Sequence, residues 1–155
     1  DFYGPDQNGY TVQLSELLNE GPVLITFFRG EWCRYCIAQL QDMQDSLGYL
    51  LEANINVVAI TPAKSTGVRK AADITSATFP LISDSGLKIM HDYKVITEQN
   101  FRKYQEELSN GTNNQHKYLP VPAAYLISQT GEVIYRYFDP NYRVRPSVKA
   151  IINAL

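Results

Sequence analysis

The sequence predicts an α/β fold with a mixed central β-sheet flanked by helices, and three observations carry that expectation. First, Val23–Phe28 and Val57–Ile60 are short unbroken runs of apolar and β-branched residues, the pattern of strands buried on both faces. Second, apolar residues at Ile37, Leu40, Met43, Leu47, Leu50 and Leu51 step by three and four, marking one stripe of a helix from Tyr35 to about Ala53. Third, Ala123–Ser128 and Glu132–Phe138, joined by Gln129-Thr130-Gly131, read as an antiparallel hairpin. Strand, helix and strand in succession make a parallel βαβ unit. The hairpin makes the sheet mixed.

The other elements follow local signals. Asn8-Gly9 is a turn ahead of a short strand near Tyr10–Val12. Ser15 is a candidate cap for a helix through about Asn19, ended by Gly21-Pro22. Thr66–Ile74 and Leu87–Tyr93 read as helices, and Phe79–Ile82 leads into a Ser-Asp-Ser-Gly turn. Residues 97–118 are polar and read as a long loop with some helix. Pro146–Leu155 starts with proline at a first-turn position and reads as a closing helix. No repeat, low-complexity tract or linker divides the 155 residues, so one domain over 1–155 is expected.

Composition narrows the function classes. The chain is 45% hydrophobic and 19% charged, with net charge −2, which leaves no basic footprint for nucleic acid. No apolar run approaches the roughly 20 residues of a membrane helix. There is no signal-peptide pattern, and the chain begins at Asp1. The expected location is the cytoplasm of a bacterial-type cell, with an exported mature chain as the alternative.

The two cysteines stand together in Cys33-Arg34-Tyr35-Cys36. A bridge across two residues closes a tiny loop and removes little unfolded-state entropy, so stability does not explain the pair. The position does: directly after a strand, at the start of a helix. Unpaired N–H groups and the positive end of the helix dipole favour a thiolate there. The second thiol, one turn on, can resolve a mixed disulfide. Arg34 adds a cation. Cys33 is expected to be the more exposed sulfur and Cys36 the more buried. Two plainer readings are half a zinc site and a pair of inert buried thiols. A second cysteine pair is absent and His91 and His116 lack close ligand spacing, so no metal is expected. No cofactor is expected either.

Leu119-Pro120-Val121-Pro122-Ala123 precedes the hairpin, and Pro122 is a candidate for a cis bond, against a plain trans strand entry. Trp32 and Tyr35 flank the thiols as a candidate substrate rim, against simple packing. The chain holds 11 Tyr and 6 Phe, and Tyr135, Tyr137 and Phe138 fall on the last strand.

Phe27 through Cys36 with Gln39-Leu40 resembles the peroxiredoxin-like branch of the AhpC/TSA family in the thioredoxin superfamily. Phe79–Asp84, Val121-Pro122-Ala123, Gly131–Ile134 and Asp139–Pro146 also match. The resemblance implies a thioredoxin-like sandwich and a reactive dithiol. It also implies a cis Pro122, with the Val121 backbone pairing an extended substrate beside Cys33. Departures accompany it. Peroxiredoxins use P-x-x-x-T-x-x-C; if Cys36 takes the peroxide-reactive place, Cys33 stands where Thr belongs and Arg29 where Pro belongs. The activating Arg before the later strand is replaced by Pro122. Arg29, Arg143 and Arg145 are candidate replacements, if the fold brings one to the sulfurs; otherwise they are surface cations. Relative to thioredoxin, Arg34-Tyr35 replaces Gly-Pro, and Thr26 lies about where a buried acid would be. Glu31 is the nearest carboxylate in sequence and reads as solvated.

The first function expected is thiol–disulfide exchange, with Cys33 attacking. The second is a thiol peroxidase, with the neighbouring thiol resolving a sulfenic acid. A third, a binding module that merely keeps the fold, leaves the dithiol unexplained. Expected partners are a thiol, disulfide or peroxide substrate and an unidentified thiol reductant, with no nucleic acid or membrane; a homodimer is possible.

Overall fold

The computed structural model describes residues 1–154. Five strands form the central sheet in the order β5-β4-β3-β6-β7: β3 Val23–Phe27, β4 Asn56–Thr61, β5 Leu81–Ser83, β6 Ala123–Ile127 and β7 Val133–Phe138. β3, β4 and β5 run parallel, while β6 is antiparallel to both β3 and β7. This is the expected mixed sheet. A separate two-stranded ribbon pairs β1 Tyr3–Pro5 with β2 Thr11–Gln13.

Two apolar layers explain why β3 reads as continuous hydrophobicity. Val23, Ile25 and Phe27 pack with Val58, Ile60 and Ile82 on one side. Leu24 packs with Cys36, Leu40, Met43, Val57 and Ala59 on the other. Alternate side chains of one strand feed opposite cores, and each must be apolar. Leu24 and Ile25 are fully enclosed, and each such side chain contributes about 1.5–3 kcal/mol by leaving water.

Helices α2 Arg34–Asp45 and α4 Ser65–Thr75 lie against each other over the Leu24 side of the sheet. The helix expected from Tyr35 to about Ala53 is two helices, with α3 Leu47–Glu52 beginning after a break at Ser46. The stripe continues across the break because Leu50 is still fully buried.

Helix α1 spans Leu14–Glu20, and its cap is Gln13, without a side-chain bond; Ser15 Oγ instead donates to Asp1. Helix α5 spans Lys88–Asp92. Residues 97–118, expected as a long loop with some helix, hold a three-turn helix, α6 Glu98–Ser109, and a 3-10 turn at Gln115–Lys117. Thr97 caps α6, its Oγ1 accepting from Asn100 N–H at 3.2 Å. Helix α7 spans Val148–Ile152 and is capped by Ser147 rather than opened by Pro146; Leu155, included in the expected helix, lies outside the described residues. Among the described residues no helix is long and apolar enough to cross a membrane.

Candidate active site

The turn from β3 to α2 sets the dithiol. Phe28 N–H still bonds Ile60 O at 2.9 Å, so the chain leaves the sheet only after Phe28. Cys33 then takes the cap position of α2 in extended geometry, and its sulfur accepts the Cys36 N–H at 3.4 Å. The thiol thereby fills a place that serine or aspartate fills in other helices. Cys36 lies one turn inside. Cys33 is 4% exposed and Cys36 is 0% exposed. The expected order holds, although both sulfurs are buried; both are free thiols.

Cys36 is the more elaborately held sulfur. Arg29 donates its backbone N–H to Cys36 Sγ at 3.4 Å. Arg145 donates Nη2–H to the same sulfur at 3.1 Å. Burial pushes the Cys36 thiol up to about 11, and its hydrogen bond with Cys33 acts in the same direction. The Arg29 N–H and the Arg145 charge oppose that rise without overcoming it. Arg145 Nε is itself buried and has no protein partner.

Of the three candidate cations, only Arg145 brings its guanidinium to a sulfur. Arg29 contributes its backbone, while its side chain lies between Trp32 and Tyr142, 4.9 and 4.7 Å from the ring centroids. Arg143 lies over Tyr142 at 5.5 Å. Arg34 does not face the sulfurs either: it donates to Tyr35 Oη at 2.9 Å and covers the Tyr35 ring. That bond holds the Tyr35 phenol below its usual range. Tyr35 meets Tyr142 edge to face, with centroids 5.7 Å apart. Trp32 and Tyr35 thus form the outer rim, tied to the C-terminal segment through Tyr142.

Pro122 corrects an expectation: the Val121–Pro122 bond is trans. The backbone on both sides is already satisfied. Val121 N–H donates to Val95 O at 2.9 Å, and Pro122 O accepts from Asp139 N–H at 3.1 Å. With those bonds made in an extended entry to β6, nothing favours the costlier cis form. The N–H of Val121, whose backbone was expected to pair with a substrate strand, is therefore occupied.

The place of the buried acid is filled by neutral groups. Thr26 Oγ1 donates to Ala123 O and accepts from Gln39 Nε2, both at 3.4 Å. Glu31 does not reach the sulfurs. It lies toward α4, where a Cβ on Gly67 would come within 3.0 Å of its carboxylate.

Sequence reading missed Tyr142 and a cleft beside Trp32. The cleft holds about 360 Å³ between Arg29, Trp32, the start of α4 and the 113–119 segment. The 12-residue helix preceding that segment carries signals that could have found it, the Thr97 cap and the Phe101, Tyr104 spacing. No local spacing could have placed Tyr142.

The model of the AhpC/TSA family matches residues 1–136. Putative peroxiredoxin Rv2521 of Mycobacterium tuberculosis is 31% identical over 138 residues, covering 89% of this chain and 80% of that protein. Thiol-disulfide oxidoreductase ResA of Halalkalibacterium halodurans is 22% identical over 135 residues, covering 86% of this chain and 62% of that protein. Among solved structures, AhpC of Enterococcus faecalis superposes with TM-score 0.78 at 16% identity, covering 99% of this chain and 84% of that chain. The family match, the thioredoxin-fold sheet and the dithiol at the start of α2 agree: this chain belongs to the AhpC/TSA family and is a thiol-dependent oxidoreductase.

Proposed function

We propose that this oxidoreductase is a peroxidase in which Cys36 attacks the peroxide and Cys33 resolves the product. The contact that carries this reading is Arg145 Nη2 at 3.1 Å from Cys36 Sγ, joined by the Arg29 N–H. Two donors converging on one sulfur stabilise the thiolate and the negative charge that develops as the O–O bond breaks. The reaction balances within the dithiol. Cys36 sulfur attacks one peroxide oxygen, the O–O bond breaks, and the departing oxygen takes the Cys36 proton and leaves as alcohol or water. Cys36 becomes a sulfenic acid. The Cys33 thiol then attacks that sulfur, expels water and forms the Cys33–Cys36 disulfide. An external thiol restores both cysteines.

Disulfide exchange, the first expectation from sequence, uses the same dithiol with Cys33 as attacker, and the Cys33 cap position supports it. Enclosure of both sulfurs and the occupied Val121 N–H favour a small oxidant over an extended peptide.

The test mixes reduced protein with hydrogen peroxide or an alkyl hydroperoxide, against reduction of an insulin-type disulfide. The expected result is peroxide consumption, one equivalent per protein, ending in the Cys33–Cys36 disulfide by mass. Disulfide reduction without peroxide consumption overturns the proposal and returns the first step to Cys33.

A further inference from the structure

We infer that the cleft beside Trp32 binds the reductant, and that this reductant is a small zwitterionic peptide thiol. The inference deepens the proposed reaction and rests on it, because the disulfide to be reduced is that reaction's product.

Position comes first. Trp32 immediately precedes Cys33 and forms one wall of the cleft. Arg29 forms another wall with its side chain while its backbone N–H holds Cys36 Sγ. A molecule in the cleft therefore touches the two residues that frame the dithiol. Cys33, the less enclosed sulfur, is the one an incoming thiolate reaches.

Chemistry comes second. Arg29 and Lys64 line the cleft against a single carboxylate, Glu31, and the His116 ring meets Trp32 edge to face with centroids 6.0 Å apart. The charged side chains give this mouth a positive balance on a chain of net charge −2. Lys64 caps α4 without a side-chain bond, and Lys64, Thr66 and Gly67 put the first turn of that 11-residue helix, with its positive dipole end, in the cleft lining. Gly67 in the first turn brings bare backbone to the lining. A ligand with carboxylates meets the cations and this helix end, and its ammonium meets Glu31. The Trp32 face, 46% exposed, offers an apolar wall for the chain between.

Size comes third. About 360 Å³ lies at the lower end of the range for small-molecule pockets, roughly 300–1,000 Å³. That suits a tripeptide thiol.

The step balances. The bound thiolate attacks Cys33 Sγ, a mixed disulfide forms, and the S–S bond to Cys36 breaks. Cys36 leaves as thiolate toward Arg145 and the Arg29 N–H, the two groups that offset part of its burial. A second peptide thiolate attacks the bound peptide's sulfur and releases the oxidised peptide dimer. Two thiol protons return to Cys33 and Cys36.

The experiment starts from protein oxidised to the Cys33–Cys36 disulfide with diamide, so that no peroxide step is involved. Its reduction is followed through Trp32 fluorescence with glutathione, cysteamine and 2-mercaptoethanol at matched thiolate concentration. Wild type, Lys64→Glu and His116→Glu are compared. Glutathione should be about tenfold faster than either other thiol and should saturate, and both variants should slow glutathione about fivefold while leaving 2-mercaptoethanol unchanged. Equal unsaturating rates for all three thiols overturn the inference, as does equal slowing of every thiol by the variants. Failure of wild type to react with peroxide in the separate assay removes the peroxidase reading and leaves this measurement intact.

Discussion

The guanidinium of Arg145 stands 3.1 Å from the sulfur of Cys36 across a separation of 109 residues. This is the cation that the sequence could name only as one of three. It comes from beyond residue 136, where the family match ends. The C-terminal segment therefore supplies to the sulfur what Pro122 does not supply.

Arg145→Ala should slow the reaction of Cys36 with peroxide about ten- to a hundredfold, the equivalent of about 1.5–3 kcal/mol for a hydrogen bond to a charged group. Stopped-flow Trp32 fluorescence reads it. Because burial holds the Cys36 thiol at about 11, the wild-type rate should rise steeply between pH 7 and 9, as the thiolate fraction grows. A flat profile over that interval shows that the reacting sulfur is already ionised.

The two cysteines should separate by product. Cys36→Ser should abolish peroxide consumption. Cys33→Ser should consume one equivalent and stop, leaving a sulfenic acid on Cys36 that dimedone traps. Trapping on Cys33 in the Cys36→Ser protein reverses the roles.

Much of this fold was legible because its signals are local. β3 and β4 are continuous apolar runs, the β6–β7 hairpin has its turn at Thr130-Gly131, and Gly131 adopts φ +85° there. Cys33 and Cys36 were legible because strand, cap and helix lie within a few residues. In residues 97–118 some helix was legible but not its extent, because Phe101 and Tyr104 provide the inward face of α6 amid polar neighbours. Arg145, Tyr142 and the trans Pro122 depend on partners far away in sequence. The Val121 N–H is committed by Val95 and the Pro122 carbonyl by Asp139, and neither pairing leaves a periodic trace.

Asp84 offers a pH test of stability. Its carboxylate is 6% exposed and accepts Met90 N–H at 2.9 Å. Burial raises it from 3.8 to about 6, against the backbone donors of Met90, Ile89 and Lys88. The native state thus binds the proton more tightly than the unfolded state. Its stabilising contribution is complete below about pH 4 and is lost as pH rises through 6, by about 3 kcal/mol. Asp84→Asn keeps an acceptor for Met90 and cannot ionise. The denaturation midpoint of the variant should exceed wild type at pH 7, and the gap should close toward pH 4. A gap that stays constant across this range rules the linkage out.

Gly30 tests the rim. A Cβ at this position would stand 2.5 Å from Trp32 Nε1 and 3.0 Å from Cδ1, closer than packed atoms allow. The half-exposed indole can move, so Gly30→Ala should displace Trp32, at about 0.5–1.5 kcal/mol for an off-rotamer side chain, and the φ of +159° at Gly30 adds backbone strain to that cost. Displacement separates the indole from Arg29, now 4.9 Å from the ring, and alters the wall of the cleft. Trp32 is the single tryptophan, so its emission reports the change directly. The expected signature is a red-shifted emission with a lowered but still cooperative thermal transition and slower reduction of the disulfide by glutathione. The direct reaction of Cys36 with peroxide should change far less, because the Arg145 contact does not pass through the indole. Unchanged emission would mean that the Gly30 turn opens instead and that Trp32 keeps its place against Arg29.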